Sequence, residues 1–322
     1  MRQIATRVIL ALAGASLMAL ALWKADLAEI LAGAGRLGWR LPAIVLASMT
    51  LTALTFSAGL ALAAPEGERP AYPRLVRLFA LTQGANETVT GTGELLKVRA
   101  LLRELPADRA LALMLRTHWL NGLTMPLLYA GAALAFRPPE GAARMWLVSG
   151  ALALASATLL VGVLAMARRR VGRRFVARAC RALVPAGDGD ALAEMLAALS
   201  PFTARSLGAI VALAGPRLVN ALEAWLVFRL VGTPIPVLWA LAGQAAIELG
   251  GAALAAVPGQ LGVAEGAAVL VYLPLGVPAS AGLLLAAVRR ARQAAWIAIT
   301  GIAASAGRLP GAEAPLAREP VV

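Results

Sequence analysis

Apolar stretches, each near twenty residues long and parted by short charged segments, recur along the whole chain. A helix needs about 20 mostly apolar residues to cross the hydrocarbon core of a bilayer. By that criterion spans fall at 4–23, 41–64, 110–136, 143–166, 206–230, 237–256 and 281–303. The composition agrees, with 60% hydrophobic and 15% charged residues, where a soluble domain carries about 45–50% and 25%. The expected fold is therefore all-α: a polytopic helical membrane protein of about seven to eight spans.

Two stretches interrupt the pattern. Residues 74–105 hold a short apolar run, a polar Gly/Thr segment and an amphipathic helix, whereas 257–277 is apolar but broken by Pro258, Gly259, Gly262, Gly266 and Pro274. Irregular backbone at membrane depth is tolerated only where protein or a wet cavity satisfies its N–H and C=O groups. Both are read as broken or re-entrant segments. They divide a single transmembrane domain, 1–322, into a first half (1–166), a basic linker (167–204), a second half (205–303) and a tail (304–322). The halves resemble a duplication: Glu94 is followed twelve residues later by Pro106-Ala107, and Glu265 thirteen residues later by Pro278-Ala279. Paired interruptions of this kind point to a transporter's midplane site.

The net charge is +13, yet the charges sit in clusters between apolar runs, which argues against a nucleic-acid surface. Cytoplasmic loops retain Lys and Arg. Seven basic residues fall in 65–109 and seven arginines in 167–181, against three in 24–40, two in 137–144 and none in 231–236. This alternation sets an expected cytoplasmic N-terminus, with 74–105 entering and leaving from the cytoplasmic side. Residues 1–25 share features with a signal peptide, but a polytopic chain needs no separate signal, so an uncleaved first helix is expected. In the linker, Asp190 can cap a surface helix with a Leu192/Met195/Leu196/Leu199 stripe lying on the cytoplasmic interface. Only Lys24 and Lys97 are lysines among 30 basic residues, a bias from which no function is drawn. One cysteine, Cys180, and one histidine, His118, do not make a protein-only zinc site, and no cofactor is expected.

An ionisable side chain at mid-membrane costs roughly 2.5–3.5 kcal/mol by insertion scales and so faces a cavity or a partner. Arg217, Asn220 and Glu223 recur every three residues after Pro216; Gln244 and Glu248 share a helix face; Arg289, Arg290 and Arg292 interrupt the last span. Arg116 and His118 are read as snorkelling to water. Glu223 and Glu248 have short reach, so buried pairing with the nearby arginines is expected. In the broken segments, Gln83 to Glu94 and Val257 to Gly266 each end an apolar run and restart a helix, with restarts expected after Gly93 and Gly262. A restarted helix offers free N–H groups and the positive end of its dipole to an anion such as a lipid phosphate.

The run Val257-Pro258-Gly259-Gln260-Leu261-Gly262-Val263-Ala264-Glu265-Gly266, with Leu275-Gly276-Val277-Pro278 and Arg289-Arg290-Ala291-Arg292, resembles the C-terminal signature of the lysylphosphatidylglycerol synthase transmembrane (flippase-like) superfamily. Within it the likeness is nearest to membrane proteins associated with hopanoid biosynthesis. Upstream, Asn86, Gly93-Glu94 and Arg99 resemble that family's N-terminal motif, and the resemblance covers about residues 40 to 303. The sequence departs from the pattern at Gly91-Thr92, where a Pro-containing turn is common, and at Ala264 and Ala267, which replace Gln and Gly. The resemblance implies a flippase-like fold in a bacterial cytoplasmic (inner) membrane that moves or holds phospholipid or isoprenoid/hopanoid lipids. No segment after 303 is long enough for the aminoacyl-transferase domain of some relatives, so lysyl transfer is not expected.

Three functions are weighed. A lipid transporter would line its cavity with Asn86, Glu87, Glu94, Arg99, Glu223, Glu248, Glu265 and the arginines near 217 and 289–292, powered by a gradient or by the lipid itself. No Walker motif is present. A lipid-modifying enzyme would need a nucleophile with its base or a metal motif. The aspartates (26, 108, 188 and 190) lie near span ends or in loops, and one histidine cannot make a two-histidine site. An enzyme is not expected. The third reading is an accessory subunit of envelope-lipid or hopanoid synthesis. Expected partners are membrane lipids, with biosynthetic enzymes or a second copy of the chain as further candidates.

Overall fold

The computed structural model describes residues 26–64, 69–88, 91–105, 107–135, 147, 150–151, 153–158, 204–253 and 262–309. Among these all regular structure is helical: α1 (Leu27–Leu37), α2 (Arg40–Ala63), α3 (Tyr72–Thr88), α4 (Thr92–Leu101), α5 (Ala107–Ala135), α6 (Ala204–Val231), α7 (Val237–Ala253), α8 (Val263–Tyr272), a 3₁₀ turn (Leu273–Leu275) and α9 (Ala279–Ser305). The sequence-read spans at 41–64, 110–136, 206–230, 237–256 and 281–303 coincide with α2, α5, α6, α7 and α9. Span 4–23, most of 143–166, the linker helix at 190–199 and the residues Pro258 and Gly259 lie outside the described residues.

By length and composition α2 and α6 can each cross a membrane. Helix α9 is 27 residues long, about 40 Å at 1.5 Å per residue, but carries Arg289, Arg290 and Arg292. Apolar side chains such as Leu46, Leu51, Val211 and Ile302 point outward, while Glu223, Gln244, Glu265 and Lys97 are buried. Such a distribution suits a lipid surround, where the exterior is apolar and polar groups turn to one another.

The bundle is organised around α2 and α6, which share the most extensive helix contact. They run antiparallel: Gly59 sits against Leu213 and Gly215 against Thr55, and a Cβ at either glycine would come within 2.4 Å and 2.3 Å of those side chains. Small residues at a crossing let backbones approach, the main source of helix association in lipid. Two apolar layers form along this pair. One joins Leu60, Leu75, Leu101, Leu113 and Leu213; the other joins Ile44, Val227, Phe228, Tyr272 and Leu285. Between them, at mid-length on α6 and α9, lie Arg217 to Glu223 and Arg289 to Arg292.

The broken segments differ from the sequence reading in detail. Gln83 to Thr88, read as irregular, continues α3, and the helix restarts at Thr92 rather than after Gly93. The physical reason is that two of the glycines serve packing instead of breaking the helix. Gly84 lies against the Trp296 carbonyl, 2.2 Å from where a Cβ would be, and Gly93 lies against the Thr82 carbonyl at 2.5 Å. The break itself is made by Gly91, at φ 90°, and the second restart, as expected, by Gly262, at φ 79°; both values favour glycine because L side chains clash there. Helix α1 falls in a stretch read as a loop. Asp26 caps it by accepting from the Ala28 N–H at 2.8 Å, and Glu29 and Arg36 reach Ser280 and the Val231 carbonyl.

Candidate functional site

Each charged side chain at mid-bundle arrives there by helix register. Glu223 on α6 has a side chain 1% exposed and faces two arginines of α9: Arg292 Nη1 donates to its Oε2 at 2.8 Å, and Arg289 Nε stands 3.5 Å from Oε1. That second contact is a charge pairing only, because neither Glu223 Oε1 nor Arg289 Nε has an aligned hydrogen bond. Arg292 also approaches the Ser48 hydroxyl at 3.4 Å. Arg289 donates to the side-chain carbonyl of Gln244 on α7 and, at 3.5 Å, to the Asn220 carbonyl. Gln244 in turn donates to Glu248 at 2.9 Å, and Glu248 pairs with Arg217 Nε of α6 at 3.0 Å. Arg217 ends the chain by donating to Asn121 and Thr124 of α5, at 2.6 and 2.7 Å.

A branch leaves from the next residue of α9. Arg290 Nε donates to Glu265 Oε1 at 2.6 Å, while Glu265 Oε2 accepts from the Gly262 N–H at 2.9 Å. One carboxylate therefore caps the restarted helix and holds a guanidinium. Gly266, also buried, closes the first turn by donating from its N–H to the Gly262 carbonyl at 2.9 Å. Arg290 reaches Gln293, which donates to the backbone carbonyl of Glu87 at 3.1 Å; Gln83 holds the Glu87 side chain at 2.8 Å. Four arginines thus share three carboxylates, contributed by α6, α7 and α8.

Glu94 belongs elsewhere. It occupies the third position of α4 after Gly91, as Glu265 does in α8 after Gly262, so both restarts read Gly-x-x-Glu. The Gly91 N–H, however, is taken by Asn86 Oδ1 at 2.8 Å. Glu94 is thereby left to pair with Lys97 at 2.7 Å and His118 at 3.1 Å. The Lys97 ammonium lies 4.8 Å from the Phe56 ring centre and 5.0 Å from that of Phe79, a favourable cation–π geometry. Phe79 in turn meets Trp296 of α9 edge-on.

The structure therefore joins Glu87, Arg217, Asn220, Glu223, Glu248, Gly262, Glu265, Gly266, Arg289, Arg290 and Arg292 in one network. Asn86, Gly91, Gly93 and Glu94 form a second cluster at the α3–α4 break, and Arg99 is exposed beyond it. The sequence reading put Glu94 with Glu265 in one cavity; their first partners are separate sets. Half-exposed His118 pairs with Glu94, and Arg116 donates to Ser206 at 3.1 Å. Missed altogether were Ser48, Asn121, Thr124, Gln293 and Lys97. The first four look like ordinary polar residues in helices. Lys97 did carry a signal, as one of two lysines in an arginine-rich chain. Among the described residues no group of three or more His, Cys, Asp or Glu side chains could hold a metal ion.

Fold and site together define a helical membrane protein whose interior is a charge-paired layer beside two glycine-initiated helix restarts. Residues 4–301 match the family model of the lysylphosphatidylglycerol synthase TM region, and the chain belongs to that family. It is accordingly a membrane protein of a lipid-related family. Comparison with curated proteins and with solved structures gave no match.

Proposed function

We propose that the protein binds the phosphate of an anionic phospholipid or an isoprenoid/hopanoid-type lipid at the α6–α9 network and moves it across a bacterial cytoplasmic membrane, without catalysing a chemical change. The observation that carries this reading is the set of four arginines held at mid-bundle by carboxylates. Arginine's planar fork matches phosphate oxygens in a bidentate way. Each guanidinium faces a carboxylate, with Glu223 shared between Arg289 and Arg292, which makes the buried positive charge tolerable. A lipid phosphate offers the same oxygens, so it can replace a carboxylate on Arg289 or Arg290. Glu223 is the natural exchange point, because its Oε1 already lacks an aligned hydrogen bond. A displaced carboxylate then pairs with the neighbouring guanidinium or takes a proton. The N-terminus is on the cytoplasmic side in this reading, as the arginine-rich loops favour.

The test is lipid sidedness. With the protein in vesicles carrying a labelled phospholipid, headgroup accessibility should equilibrate faster than in empty vesicles. Glu265→Gln and Arg289→Ala should each remove that acceleration. Unchanged sidedness with wild-type protein, or a new lipid product by mass spectrometry, refutes the proposal.

A further inference from the structure

Away from this network, a cavity of about 540 Å³ opens at the end of the α3–α4 hairpin. Arg74 and Arg77 from the first turns of α3, Arg103 from just after α4 and Arg308 from beyond α9 surround it, with Glu104 the one carboxylate among the described residues that line it. Its floor is apolar: Leu75 and Leu101, each 1% exposed, lie at the base with Leu78.

We propose that this cavity is a second, peripheral site that holds the phosphate headgroup of an anionic lipid. The volume lies within the roughly 300–1,000 Å³ of small-molecule sites, which are typically apolar with a few converging polar groups. Among the described lining residues guanidiniums outnumber carboxylates, which favours an anion, and the fork geometry of arginine selects a phosphate. The leucine floor separates a lipid from a free phosphate, since only a lipid brings an apolar glycerol and acyl stem to cover it. Glu104 Oε1 stands 2.6 Å from Arg74 Nη2, offering the oxygen acceptor that a phosphate would also supply. The Arg74 side chain of that pair is 60% exposed, and a solvent-facing ion pair is weak enough to be exchanged. The three chain segments that supply the arginines are far apart in sequence, so an occupant ties the start of α3, the end of α4 and the end of α9 together. Leu101 also lies one turn beyond Lys97 on α4, which places the occupant against the element bearing the Glu94–Lys97 pair. The inference rests on the membrane setting of the family and does not require the transport reading.

The test uses the full chain in neutral detergent, with thermal unfolding and native mass spectrometry as readouts. The ligands are short-chain phosphatidylglycerol, short-chain phosphatidylcholine and inorganic phosphate. Phosphatidylglycerol should raise the unfolding temperature and remain bound, with the other two having little effect. Arg77→Ala/Arg308→Ala should weaken that binding about tenfold or more, the scale of losing charge-assisted hydrogen bonds. Arg77→Lys/Arg308→Lys should restore part of it, and covers the case that the alanine variant does not fold. The loss caused by Arg77→Ala/Arg308→Ala should be the same in a Glu265→Gln background, whatever that change does at the central network, so a failed transport proposal leaves this result standing. Full binding by both double variants overturns the peripheral site. Inorganic phosphate acting as well as the lipid, or equal binding of phosphatidylcholine, overturns the anionic-lipid assignment.

Discussion

Removing the Glu223 carboxylate is the sharpest perturbation the structure offers. In Glu223→Ala, Arg292 loses its 2.8 Å charge-assisted bond and keeps only the Ser48 hydroxyl at 3.4 Å. Arg289 loses the opposing charge at 3.5 Å and keeps the neutral Gln244 and Asn220 acceptors. Breaking a buried pair by deleting one partner costs about 3–5 kcal/mol, because the remaining charge is stranded. One acid here serves two guanidiniums with side chains 16% exposed, so the upper part of that range is expected. Deleting Glu104, whose partner Arg74 is 60% exposed, should cost only about 0–1 kcal/mol. Equilibrium unfolding in mixed micelles measures both. Glu223→Leu/Arg292→Met removes one full pair with little change in volume and should recover much of the loss. A Glu223→Ala cost no larger than that of Glu104→Ala would refute the reasoning, since it would mean that water already reaches the pair.

Other outcomes follow from the same geometry. Gly84→Ala places a Cβ 2.2 Å from the Trp296 carbonyl oxygen, so α3 and α9 must separate; an overpacking cost of about 1–3 kcal/mol is expected by thermal unfolding. Gly91→Ala and Gly262→Ala force an L residue to φ 90° and 79°, each costing about 1–2 kcal/mol by the same measurement. Lys97→Met strands Glu94 with His118 alone, so Glu94→Gln/Lys97→Met should be closer to wild type in stability than Lys97→Met is. A double-mutant cycle reads that coupling, and additivity of the two changes would count against the buried pair.

Much of this protein is legible along the chain because hydropathy and backbone chemistry act over a few residues. Apolar runs near twenty residues mark α2, α5, α6, α7 and α9 whatever their neighbours are. A glycine followed by a first-turn acid marks the restart at Gly262, and charges within apolar runs mark Glu223, Glu248 and Arg289 as needing partners. The first break was placed less well, since a glycine that opens a helix and one that lets two helices touch look alike in sequence. Gly91 does the former; Gly84 and Gly93 do the latter, and only the position of Trp296 and Thr82 tells them apart. Lys97 escaped for a similar reason, as its burial depends on Phe56 and Phe79 from two other helices.

Local order therefore set the class of fold and the inventory of buried charges. The choice of partners was left to packing: Arg292 and Glu223 stand 69 residues apart, and the Gly84 N–H donates to a Thr300 hydroxyl 216 residues away. Helical periodicity puts Arg217, Asn220 and Glu223 on neighbouring faces, but it is the antiparallel lie of α6 and the crossing of α9 that send Arg217 to Glu248 and Glu223 to Arg289 and Arg292. A charge in an apolar segment must find an opposite charge; which one it finds is a property of the assembled bundle, because Coulomb attraction acts through space and takes no account of chain order.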